Sequence, residues 1–84
     1  MPYIKQDQRA EFSPHAYDVP HATVSGQLNY QLTELISMYW HAHGPSYQTI
    51  NDIVGALEGA KLEFYRRVAV PYEEEKIKTN GDVY

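Results

Sequence analysis

Apolar residues at Ile50, Ile53, Val54, Leu57, Phe64 and Val68 recur at the three- and four-residue steps that stack side chains on one face of a helix. They predict a long helix over residues 46–70. Ser46, just after Gly44-Pro45, stands where an N-cap belongs, its hydroxyl placed to accept from an amide of the first turn. Pro71 is expected to end or kink the helix at the other end. At about 1.5 Å per residue the rod is roughly 36 Å long, more than so small a domain needs inside.

A second helix is marked by Leu28, Leu32, Leu35, Ile36 and Tyr39, with Trp40 extending the face, over residues 26–43. Ser25 is its expected cap at the start and Gly44 at the end. Gly44-Pro45-Ser46 is a short link, and short links favour antiparallel neighbours. The chain therefore reads as all-α: an antiparallel helical hairpin with one long central helix plus short flanking helices. Leu32, Leu35, Tyr39, Ile50, Ile53, Leu57 and Phe64 are its expected buried residues.

The remaining segments complete a single domain over residues 1–84. Residues 1–25 form an N-terminal arm and loop. Within it Gln6 to Phe12 has room for two helical turns, Tyr3, Ile4 and Phe12 are expected to dock on the main helices, and the two prolines of SPHAYDVPHATVS favour loop, with a short helical turn after Ser13-Pro14 an option. Residues 72–84 are expected to resume as a short helix through Lys78, stopped by Asn80-Gly81. Val83 and Tyr84 would then dock on the chain itself or on a neighbouring subunit.

A second face of the long helix carries Gly55, Gly59, Leu62 and Arg66, nearly opposite Ile50, Leu57 and Phe64. Each helix-interior glycine costs about 1 kcal/mol against alanine, a cost that close approach of another backbone offsets. That backbone belongs either to a neighbouring helix of the same chain or to a second copy. Size favours the copy: at 84 residues a domain buries only about 60–65% of the surface its unfolded chain exposes. There is no cysteine to staple it, which excludes disulfides and thiolate metal sites. Homo-oligomerisation through Gly55, Gly59 and Leu62 is the expected support.

Eleven acidic against seven basic residues give a net charge of −4, which argues against duplex DNA as a partner. No apolar run approaches a membrane span, and the first residues lack the layout of a signal peptide, so the chain reads as cytoplasmic. Eight tyrosines are many for this length. Tyrosine suits interfaces, having apolar area with a polar tip.

The MPYIKQ start, the stretch HGPSYQTINDIVGALEGAKLEFYRRV, PYEEEKI and the terminal NGDVY together resemble a family of small uncharacterised proteins of bacteria and their phages. The likeness covers residues 1–10 and about 26–84, while Ser13 to Ser25 departs from the family's more charged, helical pattern. The resemblance implies a phage-associated context and carries no activity.

Candidate chemistry is sparse. His41 and His43 are two apart, so they diverge on a helix, and His15 and His21 lie in the loop; no metal or cofactor is expected. Glu73-Glu74-Glu75 reads as a solvated first turn rather than an acid/base pair, and no catalytic triad order or phosphate loop appears. Arg66 and Arg67, beside Tyr65, are the adjacent basic pair: guanidinium binds phosphate through two parallel hydrogen bonds, and a tyrosine ring stacks a base. Tyr47 and Thr49 add helix N-terminal amides, a seat for an anion. The two groups lie about 25–30 Å apart along one helix, so two antiparallel subunits are needed to bring them to one ligand. The alternative is that Arg66 and Arg67 simply pair with Glu63 or Glu74. The expected function is a non-catalytic homo-oligomeric binding module for a small nucleotide-like anion, as in a phage protein that sequesters an immune signal. The runner-up is a protein–protein adaptor or an inhibitor of a host protein.

Overall fold

The computed structural model describes residues 4–13 and 18–84. The sequence-based expectations for Tyr3, for His15 and for a helical turn at Pro14 lie outside these residues. Two compact units divide the chain, Met1–Met38 and Tyr39–Tyr84. The described residues are helical or irregular, with no strand among them.

In the first unit a 3-10 turn, Gln6–Gln8, leads into α1, Arg9–Phe12, the two turns expected there. Phe12 stays exposed. Asp18 takes a left-handed backbone (φ 54), which a short polar side chain tolerates. Helix α2, Ser25–His43, begins differently from the expected Ser25 cap. Ser25 is already helical, and the Gln27 carboxamide accepts from both the Thr23 amide (2.8 Å) and the Thr23 hydroxyl (3.0 Å). A side chain from inside the helix thus ties down the residues before it, as in half of a capping box. Gln31 Nε2 adds a 2.8 Å bond to the Pro20 carbonyl, holding that segment against the first turns of α2.

The second unit opens with the last turn of α2. Gly44 (φ 83) donates to the Trp40 carbonyl at 2.8 Å and turns the chain out of the helix, the C-terminal role foreseen for it. Ser46 caps α3, Tyr47–Phe64, its hydroxyl accepting from the Thr49 amide at 3.0 Å. Across this corner Tyr39 donates to Asp52 Oδ2 at 2.9 Å, and Gln48 donates to Oδ1 at 2.7 Å.

Pro71 neither ends nor breaks the rod. A π turn, Tyr65–Ala69, links α3 to α4, Val70–Asn80, so the helix continues from Tyr47 to Asn80. Proline has no N–H and its ring collides with the carbonyl four residues back in a regular α-helix. The π turn opens the backbone just before it: Val70 bonds the Tyr65 carbonyl, five residues back. Gly81 (φ 84) then ends α4, two residues beyond the expected Lys78. Val83 and Tyr84 are exposed.

The expected core is the main correction. Among the described residues no hydrophobic side chain is buried, and Leu57, Phe64 and Leu35 remain 39%, 58% and 60% exposed. Leu32, Tyr39 and Ile50 are exposed as well, and Ile53 is only half-buried. The stripe exists, and among the described residues it stays exposed.

Candidate functional site

Local sequence places the candidate residues in two groups at opposite ends of α3. Tyr65, Arg66 and Arg67 occupy the π turn, beside Glu63 in the last turn of α3. Arg66 Nη2 donates to both Glu63 oxygens at 3.3 Å, and Arg67 Nη1 stands 3.6 Å from Oε1. One carboxylate thus serves two guanidiniums, so the cluster keeps an excess positive charge and unused donors. Both arginine side chains are more than 60% exposed. Exposed pairs of this kind contribute about 0–1 kcal/mol. Tyr65 is also exposed and adds a ring face to the same turn.

At the other end Tyr47, the first residue of α3, is 87% exposed. Thr49 plays a different part from the open donor expected. Its amide is taken by the Ser46 hydroxyl, its own hydroxyl lies 2.9 Å from that oxygen, and it is buried. The cap that makes α3 start cleanly consumes the amide that was to seat an anion. Of the first-turn amides, those of Tyr47 and Gln48 keep no partner inside the helix. From Tyr47 to Tyr65 the axial separation is roughly 27 Å at about 1.5 Å per residue. The π turn therefore holds Tyr65, Arg66 and Arg67 in consecutive positions, with Tyr47 and Thr49 at the far end of α3.

Sequence reading missed the network around Asp52, although Gln48 and Asp52 show the i, i+4 spacing of a hydrogen-bonding pair on a helix. Tyr39 reaches it from the end of α2, its ring also lying 4.1 Å from that of His43. The hydrogen bond to Asp52, aided by partial desolvation and the nearby negative charge, raises the Tyr39 pKa above the ordinary 10.0. A raised folded-state pKa means that this contribution is fully present below the ordinary value and is lost as pH rises through the folded one. The window is therefore alkaline, above about pH 10. Spectrophotometric titration of tyrosinate should show a high-pH component, to which Tyr30 beside Glu34 also contributes, that shrinks by the share of one tyrosine in Asp52→Ala. An unchanged titration curve in that variant would show that the corner bond does not hold in solution.

The other expected chemistry is dispersed. His41 and His43 close α2, and Glu73, Glu74 and Glu75 are exposed, Glu75 pairing with Lys78 at 3.4 Å. Among the described residues no group of three His, Cys, Asp or Glu stands close enough to hold a metal ion. None of their helices is long and apolar enough to cross a membrane. An open hollow of about 390 Å³ lies between the Val19–Ser25 segment and Leu28 and Gln31.

One family model, described as Domain of unknown function (DUF6899), matches residues 1–83. No curated protein and no solved structure gives a match.

Proposed function

The chain belongs to the DUF6899 family, whose description names no activity, and we propose its function from its own residues: a non-catalytic, homo-oligomeric module that binds a small nucleotide-like anion. The observation that carries this reading is the exposed Tyr65, Arg66 and Arg67 cluster on a helix whose apolar residues stay largely exposed among the described residues. The first provides charge, bidentate donors and a stacking ring. The second calls for a partner, and Gly55 supports a copy as that partner: no described atom lies within 4 Å of where its Cβ would stand. Among the described residues nothing fills the space beside Gly55, and the close approach of a second subunit along Gly55, Gly59 and Leu62 would give that helix-weakening glycine a reason. In the phage-associated context implied by the resemblance, the bound anion would be a nucleotide-derived immune signal held in the host cytoplasm without turnover.

Thermal unfolding in the presence of cyclic and linear nucleotides tests this. At least one nucleotide should raise the melting temperature of the wild type without being consumed. Arg66→Ala combined with Arg67→Ala should abolish that rise while leaving ligand-free melting nearly unchanged, since the ion pairs lost are surface pairs. Equal ligand response in the double variant returns the arginines to simple pairing with Glu63. Steady product formation would make the protein an enzyme. A nucleotide-insensitive protein that co-purifies with a host protein would favour the adaptor or inhibitor reading.

A further inference from the structure

Helix α4 ends on Asn80, and the next residue is Gly81. An asparagine followed by glycine is the pairing most prone to lose its side-chain amide, because glycine has no Cβ to crowd its own nitrogen when that nitrogen attacks the neighbouring carboxamide. Asn29 and Asn51 lack this neighbour, being followed by Tyr30 and Asp52 inside α2 and α3. Asn80 is also exposed, so water and hydroxide reach it.

Two features of the last turn oppose the reaction. The Gly81 amide, which is the nucleophile, donates to the Ile77 carbonyl at 2.8 Å. Asn80 itself is held in the helix, and the five-membered imide ring cannot close while its backbone keeps helical angles. The glycine cannot be exchanged without weakening the stop, since its φ of 84 is what turns the chain out of α4. One residue thus both ends the helix and makes its neighbour reactive.

We propose that Asn80 is a self-modifying site, restrained by the last turn of α4 and reacting when that turn opens. Hydroxide removes the Gly81 amide proton, the nitrogen bonds to Asn80 Cγ, and the carbon–nitrogen bond of the side-chain amide breaks, its NH2 leaving as ammonia with a proton from water. Water then opens the imide at either carbonyl, giving aspartate or isoaspartate. Ammonia leaves and water enters, with no oxidant or cofactor, and the chain gains one negative charge. The last turn suits such a gate because helix ends open at far lower free energy than the body of the helix. The change runs one way: the new carboxylate sits at the negative end of the helix dipole, two residues from Asp82, and isoaspartate reroutes the backbone through the side-chain carbon. The modified turn therefore closes less well than the original.

Incubating the whole chain in mildly alkaline buffer, with and without guanidinium chloride, and following each asparagine by peptide mass spectrometry tests the proposal. Asn80 should convert far faster than Asn29 and Asn51, and denaturant should speed its conversion about tenfold or more by removing the restraint. Thr79→Gly weakens the last turn without touching the reacting pair, so it should speed conversion in buffer and leave the rate in denaturant unchanged. An Asn80 that converts no faster than Asn29 and Asn51 in denaturant overturns the site. Equal rates with and without denaturant, or a Thr79→Gly rate in buffer equal to that of the wild type, overturn the restraint.

Discussion

Diluting the wild-type protein from about 200 μM to about 2 μM should lower its melting temperature by about 5–10 °C. A hundredfold change in concentration is worth about 2.7 kcal/mol of linkage when folding and association are coupled. For an assembled pair of chains this size, each kcal/mol moves the midpoint by about 2–4 °C. The coupling is expected because the lone chain buries no described hydrophobic residue, only Thr49 being enclosed. Ordering each residue costs about 1–2 kcal/mol of backbone entropy, and helix hydrogen bonds contribute too little net free energy to offset that without apolar burial. The surface that must supply it is on the outside of one subunit, in Leu57, Phe64 and their neighbours. A midpoint independent of concentration over that range would mean that the chain is stable alone, and the exposed stripes would then lose their claim to be interfaces.

What the sequence made legible was local. Ser46 and Gly44 were placed correctly because caps are decided by a hydroxyl within reach of the third residue on and by a backbone free to adopt positive φ. The all-α class and the long central helix followed from period alone. Pro71 does not end the helix as one of its two expected effects would have it, because the rule against proline concerns a regular α-helix. Whether a π turn can form ahead of it depends on a bond from Val70 to Tyr65 that no residue type signals. The start of α2 was misplaced for a related reason: Gln27 competes with Ser25 for the role of securing the first turn, and geometry settled it for Gln27. Burial failed at a deeper level, since an apolar stripe declares that something must cover it and never which body does. The candidate site was half legible. Adjacent arginines and a tyrosine were bound to lie near one another on a helix, but the use of the Thr49 amide by Ser46 depended on the cap itself.

Gly55→Ala should act with opposite sign on the two things the wild type does. Within one chain the substitution has room, since no described atom stands within 4 Å of the new methyl group, and it replaces a poor helix former with the best one. The helix should gain about 1 kcal/mol, visible as a higher melting temperature at low concentration, where dissociated chains dominate. In the assembly, that methyl group enters the space through which the backbone of a second copy approaches, and self-association along Gly55, Gly59 and Leu62 should weaken about tenfold. At high concentration the two effects oppose each other, so the gain in melting temperature should shrink or reverse. Gly55→Leu enlarges the clash and should separate the subunits on this face altogether. Measuring melting and sedimentation for both variants over the same concentration range decides the matter. If alanine raises stability equally at both ends of the range and leucine keeps the wild-type assembly, the strip does not meet a second subunit, and Gly55 is an unexplained cost in the helix.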